Sequence, residues 1–393
     1  MKTAPYRIYG SDLEPTALQQ MENACRLPVA VAGALMPDAH QGYGLPIGGV
    51  LATDRAVIPY AVGVDIACRM KMSVIDRPVT ALSLQQDELT RALERETRFG
   101  VGAEYKRRRQ HAVMDANWGV TKVTASLRDK AWGQLGTSGS GNHFVEFGVL
   151  TVLDASAGLA PGDYLALLSH SGSRGSGAAV AQHYSKRARK RHPELPPELA
   201  HLSWLDLSDE DGQEYWEAME LMGRYAAANH QIIHQQVVGA LGAQVILDVE
   251  NHHNFAWKER HTLPDGSTRQ VIVHRKGATP AGRDVLGIIP GSMAAPGYLV
   301  RGKGVEESLQ SASHGAGRRM SRTQAKATFS RADLLRVLQE RGVTLLSAGL
   351  DEAPMAYKDI DEVMAAQSSL VEALARFQPR LVKMAPGGER PED

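Results

Sequence analysis

The chain predicts an α+β protein with mixed β-sheets and surrounding helices, and three observations carry that reading. Helical periodicity, with apolar residues recurring every three or four positions, is clearest in Leu82–Arg98, Gln213–Gly239, Arg331–Arg341 and Ile360–Phe377. Short β-rich runs lie between them: Ile47–Ala52, Met70–Ile75, Phe144–Val149, Tyr164–Ser169, Val245–Val249 and Gln270–His274. The two kinds follow one another irregularly, without the strict alternation of a doubly wound fold. No internal repeat and no low-complexity linker divides the chain, so residues 1–393 read as one domain around a central cleft.

Composition narrows the function classes. Lys plus Arg total 44 and so do Asp plus Glu, so overall charge announces no nucleic-acid partner and any anion site must be local. Basic clusters stand at Lys106–Arg109, at Lys186–Arg191, and at Arg318, Arg319 and Arg322. The first two read either as solvated charge or as a track for RNA. Two cysteines far apart in sequence give no disulfide framework, and MKTAPYRIYG lacks the apolar core of a signal peptide, so a reducing, cytoplasmic setting is expected. Apolar runs such as VAVAGALM fall short of the roughly 18 to 20 residues of a membrane span, and no membrane role is expected.

Several strand-like runs end in clusters rich in glycine and histidine: PDAHQGYG, GTSGSGNHFVE, LLSHSGSRGSG, VENHHNFAW, IIPGSM and SASHGAGRRMSR. Glycine lets backbone approach a ligand closely, so six such strand ends suggest one composite site. Asp65, Cys68, His143, His170 and His253 supply a carboxylate, a thiolate and three imidazoles, a set suited to a borderline transition metal rather than to Ca or Mg. Their spacing matches no short metal motif, so they would converge from distant loops; singly, each histidine reads equally as a satisfied polar residue. Five donors fill one metal, and serve two only if one bridges, as a thiolate can. The open positions would then suit phosphate or water.

Phosphate-handling motifs are otherwise weak. Gly297–Gly304 satisfies G-x-x-x-x-G-K by chance, with Gly304 where Ser or Thr is needed, and Gly172–Gly177 has the wrong spacing for a dinucleotide loop. A helix beginning near Ser176 could still offer its N-terminus to an anion. His314, followed by Gly315, Ala316, Gly317 and two arginines, reads as an uncrowded imidazole able to attack phosphorus, or as a turn histidine.

The strings PDAHQGYGLPIGG, GVDIAC, GSGNHFVE, SHSGSRG, HHN, HRKGAT, PGSM, SHGAGRRMSR and DEAPMAYKDIDEV, in order from about residue 30 to the C-terminus, resemble the RtcB family of GTP-dependent RNA ligases. That resemblance implies joining of RNA 2′,3′-cyclic phosphate or 3′-phosphate ends to 5′-hydroxyl ends, with GTP and two Mn²⁺ per chain. It implies that Asp65, Cys68 and His143 hold one manganese, that Cys68, His170 and His253 hold the other, and that His252 supports them. His314 becomes the nucleophile that takes GMP from GTP. The RNA 3′-phosphate then takes GMP from His314, and the 5′-hydroxyl displaces it. Nucleotide contacts are expected from Asn142, His143, Phe144, Val145, Glu146, His253, Asn254, Pro290, Gly291, Ser292, Met293, His314, Gly315, Ala316, Gly317, Tyr357 and Lys383, with Glu146 reading the guanine edge. An archease-like activator is a possible partner.

Three departures from the family pattern stand out: Arg69 replaces a usual glycine, Gly297 stands where many members have serine, and the chain runs past Lys383 into MAPGGERPED. They suggest a divergent branch devoted to RNA repair rather than tRNA splicing. Two other readings stay open: a metal-dependent cyclic phosphodiesterase or guanylyltransferase that does not seal, and a non-catalytic RNA-end binding protein.

Overall fold

β-Branched and apolar runs set the strands, and the sheet pairing of those runs fixes where everything else lies. A computed structural model describes residues 3–155 and 157–388; the tail past Lys383 runs partly outside them. The strands in chain order are β1 (Tyr6–Ile8), β2 (Ala30–His40), β3 (Ile47–Thr53), β4 (Ala56–Val57), β5 (Arg69–Ile75), β6 (Phe144–Val152), β7 (Gly162–Ser171), β8 (Leu205–Asp206), β9 (Val245–His252), β10 (Asn254–Thr262), β11 (Thr268–Lys276), β12 (Ala278–Pro280), β13 (Leu286–Ile289), β14 (Gly297–Gly302), β15 (Ser311–Ser313), β16 (Thr344–Ser347) and β17 (Val371–Met384). The helices are α1 (Pro15–Cys25), α2 (Pro59–Val62), α3 (Ala81–Leu84), α4 (Gln86–Glu96), α5 (Lys122–Gln134), α6 (Arg174–Arg191), α7 (Glu210–Ala240), α8 (Arg322–Thr328), α9 (Arg331–Glu340) and α10 (Ile360–Ala366). This is the expected α+β fold. Among the described residues no helix is long and apolar enough to cross a membrane.

Two large sheets dominate. One runs β1-β2-β3-β11-β10; the other runs β13-β14-β17-β6-β7-β5-β9, with β16 added beside β17. Most pairs are antiparallel, but β1 with β2 and β16 with β17 are parallel, so both sheets are mixed. The larger sheet curls until its edges meet. There the Asn251 side chain on β9 accepts from Ile288 N at 2.8 Å and donates to Ile288 O at 3.2 Å and Thr279 Oγ1 at 2.8 Å. Met70, Met72, Leu168, Val249, Ile288, Leu299 and Phe377 fill the inside of the curl. Its outer face, with Val145, Phe147, Leu165 and Leu167, is covered by Leu89 and Leu93 of α4 and Ile233 and Val237 of α7.

One expectation fails. The periodic stretch Ile360–Phe377 is helical only to Ala366, and from Val371 the chain enters the 14-residue strand β17. Pairing with both β14 and β6 satisfies its backbone on two sides, and that tertiary gain overrides a local helical pattern. Pro379, which has no N–H for a ladder, sits where the register shifts between Pro379 and Leu381. The segment Leu82–Arg98 is also interrupted, at Gln85, between α3 and α4.

Replacing Asn251 with Leu strands the buried N–H and C=O of Ile288 without partners. A loss of about 3 kcal/mol in unfolding free energy is expected in denaturant titration. His274 offers a second test, because it accepts from Ile58 N through Nε2 at 2.9 Å and donates to Leu51 O through Nδ1 at 3.1 Å. Burial pushes its pKa down to about 4, from an ordinary 6.5. In the window from pH 6.5 down to about 4 the unfolded chain binds a proton that the folded chain refuses. Stability therefore falls as pH drops through that window, and a His274→Gln variant should show a shallower decline.

Candidate active site

Four neighbouring strands end together. In the register of the larger sheet Phe144 faces His170, Met70 faces His170, and Arg69 faces both Ser171 and His252. Consequently His143, just before β6, His170, near the end of β7, Cys68, just before β5, and His253, just after β9, arrive at one edge. Asp65 joins them through the turn before Cys68, in which Cys68 N donates to Asp65 O at 3.2 Å and Ala67 takes a left-handed φ of 57°. The structure thus brings all five predicted donors together.

The distances run as a chain. Asp65 Oδ2 lies 3.1 Å from His143 Nε2, which lies 3.6 Å from Cys68 Sγ; Cys68 Sγ is 3.1 Å from His170 Nε2, and that nitrogen is 3.2 Å from His253 Nε2. Cys68 is therefore central, with Asp65 and His143 on one side and His170 and His253 on the other. All five are buried. Cys68, His143 and His170 place their donor atoms within 4.8 Å of one another, close enough to share an ion.

Each ring's orientation has a cause. His143 Nδ1 donates to Ser138 O at 2.7 Å and His170 Nδ1 to Asn142 O at 3.1 Å, which fixes the tautomers and leaves both Nε2 lone pairs facing the cluster. Burial holds His170 down to about 3 and His253 well below the ordinary imidazole range, so both rings are neutral. Burial acts to raise Asp65, but its hydrogen bond and charge interaction with His143 outweigh it and leave the carboxyl below its usual range. Asp65 Oδ1 also accepts from Ser173 N at 3.1 Å, just before α6. Gly172 is required there, since a Cβ would collide with the Asp65 carboxylate. His253 Nδ1 is buried without a hydrogen-bond partner. A thiol beside the Nε2 atoms of His143 and His170, with His253 Nε2 next to the latter, fits a bound transition metal.

The smaller sheet, through Asp38 on β2, holds His314 beside this cluster. His314 follows β15, and its ring centroid lies 4.9 Å from that of His253. Its Nδ1 donates to Asp38 Oδ2 at 2.7 Å, and its backbone N donates to the same oxygen at 3.2 Å. Asp38 is fully buried on β2. Gly317, at φ 73°, lies against the Asp38 carbonyl, where a Cβ would not fit. His314 Nε2 has no hydrogen-bond partner among the described residues.

The residues expected around a nucleotide divide. Phe144 lies beside His170, with ring centroids 5.8 Å apart, and Met293 shares an apolar cluster with Phe144. Glu146 is buried on the same strand face as Phe144; burial raises its carboxyl well above the usual range, and no cation pairs with it among the described residues. Asn254 accepts from Gly277 N at 2.8 Å and donates to Asp65 O at 3.3 Å, while Asn142 keeps a buried Oδ1 without a partner. Val145 faces α4 instead. The Pro290–Met293 loop approaches the loop after His314, a Cβ on Gly315 standing 3.2 Å from Pro290 O, and Ala316 is buried beside it. Gly291 lies against Pro296, and Ser292 Oγ accepts from Ala295 N at 3.2 Å. Tyr357 donates to Glu352 and accepts from Arg318 at 3.4 Å. Lys383, paired with Val145, points to the opposite face from Glu146 and donates to Leu93 O at 3.2 Å. The structure does not bring Lys383 to the others.

Asp38 was not among the expected site residues; an acid four residues before Gly42, in the string PDAHQGYG, carried the signal. It also missed α7. Asn229 donates to Thr137 O at 2.9 Å and accepts from Gly136 N at 2.6 Å, and His230 bonds Ser169 Oγ at 2.8 Å and Ser171 O at 3.0 Å. These bonds pin both residues flanking His170. Arg174, at φ 60° and buried beneath Gly139, donates to Thr137 Oγ1 at 3.1 Å. Arg69 is settled as structural: it is buried, pairs with Glu250, and donates to Gly223 O at 2.8 Å and Ala67 O at 3.2 Å. His252 packs on Phe255 and Trp257. The string Gly297–Gly304 holds a strand, β14, not a phosphate loop.

Gly172→Ala should displace the Asp65 carboxylate, and Cys68→Ser should remove the central sulfur. With Co²⁺ as probe, wild type is expected to show thiolate-to-metal charge-transfer absorption that Cys68→Ser lacks, and Gly172→Ala should weaken metal binding by about 10- to 100-fold.

Residues 20–121 and 113–384 match the family model described as tRNA-splicing ligase RtcB. The chain is 36% identical over 406 residues to RNA-splicing ligase RtcB of Escherichia coli K12, covering 95% of each chain. It is 35% identical to tRNA-splicing ligase RtcB of Nanoarchaeum equitans, over 95% of this chain and 94% of that one, and 32% identical to RNA-splicing ligase RtcB of Mycobacterium tuberculosis, over 92% and 98%. Near-complete coverage at this identity, on a chain that gathers the expected donors beside His314, shows that it belongs to the RtcB family.

Proposed function

We propose that the chain is an RNA ligase that joins 3′-phosphate or 2′,3′-cyclic phosphate ends to 5′-hydroxyl ends with GTP, acting in RNA repair or tRNA splicing. The relatives' names as splicing ligases support the class. The observation that carries the mechanism is His314 held by Asp38 beside the donor cluster. Asp65, Cys68 and His143 would hold one manganese and Cys68, His170 and His253 a second. When bound, the ions neutralise charge on phosphate oxygens and support in-line displacement.

His314 performs the first transfer. Asp38 holds the proton on Nδ1, so Nε2 presents its lone pair to the α-phosphorus of GTP; the new N–P bond replaces the bond to pyrophosphate. As the ring gains positive charge, the buried carboxylate steadies it. An RNA 3′-phosphate oxygen then displaces Nε2, and the 5′-hydroxyl, losing its proton, attacks the RNA phosphorus and releases GMP. Glu146, an unpaired buried carboxyl, suits the N1–H and amino donors of guanine. Tyr357 and Lys383 would reach a nucleotide only by giving up their present hydrogen bonds. A cytoplasmic setting and an archease-like activator complete the reading.

Incubation with α-labelled GTP and Mn²⁺ should leave acid-labile label on the protein. His314→Ala should take none, and Asp38→Asn, which stabilises the wrong tautomer, should label roughly 100-fold more slowly or worse. Equal labelling of wild type and His314→Ala would sink this mechanism. Label without strand joining would favour the guanylyltransferase reading, and RNA binding without label the non-catalytic one.

A further inference from the structure

Lys276 ends β11 one residue before Gly277, and a Cβ on Gly277 would stand 3.2 Å from His314 Cε1. Its side chain leaves the nucleophile and turns to the loop between β2 and β3, where Nζ donates to Tyr43 O at 2.6 Å. Only 7% of Lys276 is exposed, and no acidic group among the described residues offsets the burial that pulls its pKa down to about 7. Such a cation lacks a counter-anion.

Tyr43 has the opposite character. It is an aromatic side chain 67% exposed, on a loop that is itself held in place. Gly44, at φ 74°, lies so close to the turn at Pro197–Leu202 that a Cβ would stand 3.0 Å from His201 O. The Tyr43 ring lies 5.7 Å from His201, which packs edge-on against Tyr60 at 4.5 Å.

Arg189 completes the patch. Of the basic run Lys186–Arg191, Arg187 is neutralised by Asp211 and Glu214, and Arg191 by Asp211. Arg189 instead bonds His201, with Nη2 3.1 Å from Nε2, and lies 5.6 Å over the Tyr60 ring. Its Nε is buried without a hydrogen-bond partner. Lys276 on the Tyr43 carbonyl and Arg189 on His201 flank the Tyr43–His201 ring pair, and both cations lower the His201 pKa, after burial. By contrast Arg108 and Arg109 of the other basic run pair with Asp129 and Glu96. An exposed ring beside two cations without acid partners offers a π-face for a base and charge for a phosphate, the combination that unpaired nucleic acid strands use.

We propose that Tyr43, Lys276 and Arg189 form a subsite for single-stranded RNA, with one unstacked base on the Tyr43 ring and the adjoining phosphate between Lys276 and Arg189. The backbone step from Lys276 to Gly277 joins this subsite to the nucleophile, so the bound base belongs to a nucleotide near the reacting end. The identity of the polymer rests on the RNA-ligase reading.

The test is fluorescence anisotropy of a labelled single-stranded RNA with a 3′-phosphate, titrated with the full chain. Tyr43→Ala should weaken binding roughly tenfold, the loss of one stacked base, and Tyr43→Trp should restore it. Arg189→Gln should weaken binding and lower the slope of log affinity against log salt by about 0.7. Lys276→Met should do the same, and melting temperatures report whether each variant is folded. Wild-type affinity in both Tyr43→Ala and Arg189→Gln overturns the subsite, as does a loss in Tyr43→Ala that Trp fails to restore. Wild type labelled in parallel with α-labelled GTP separates the two ideas. Label together with wild-type affinity in Tyr43→Ala sinks only the subsite; no label together with weakened Tyr43→Ala binding sinks the ligase mechanism and leaves the subsite standing.

Discussion

The in-register ending of β6, β7, β5 and β9 is the constraint on which the rest depends. Every donor except Asp65 stands at or within two residues of one of those strand ends, so their convergence is a property of hydrogen-bond register rather than of four independent loops. A slip of one residue in any pair would turn a donor to the other face of the sheet. The apolar interior formed by Met70, Leu168, Val249 and Phe377 resists such slips, because each would exchange it with the set fitted against α4 and α7 on the other face. Core packing far from the chemistry thereby maintains its geometry.

Burying so many polar groups needs compensation, and it is found mostly in backbone carbonyls. Ser138 O takes the proton side of His143, and Asn142 O that of His170. Asp38 does the same for His314 with a full charge. The distinction has chemical sense under the proposed mechanism: a ring that holds a metal would need only a fixed tautomer, whereas a nucleophile that becomes cationic would gain from a carboxylate. Helix α7 then braces the strand, its Asn229, His230 and His234 bonding to the hydroxyls and backbone on both sides of His170.

Much of this was legible in the sequence, and what was not has physical reasons. The glycine-rich strand ends announced themselves because close backbone approach leaves few residue choices, as Gly172 against Asp65 and Gly317 against Asp38 show. The five donors were readable by type, and the family resemblance assigned them. Asp38 was not singled out, since an acid in an apolar strand becomes meaningful only when a residue 276 positions away is seen to donate to it. The strand β17 was misread because Ile360–Phe377 has a helical period, while its true partners lie far off in sequence. Arg69 could not be placed from its motif, as Glu250 and the Gly223 carbonyl are distant along the chain.

His253 is the single residue between β9, in the larger sheet, and β10, in the smaller one. A joint of one residue has no slack. The tilt of one sheet on the other therefore sets where this imidazole stands, and the same tilt carries Asp38, which holds His314. Donor cluster and His314 are thus parts of one hinge plate rather than two sites held at a distance by loops. An ion gripping His253 would lock that plate, and His314 Nε2 would inherit its position from the architecture.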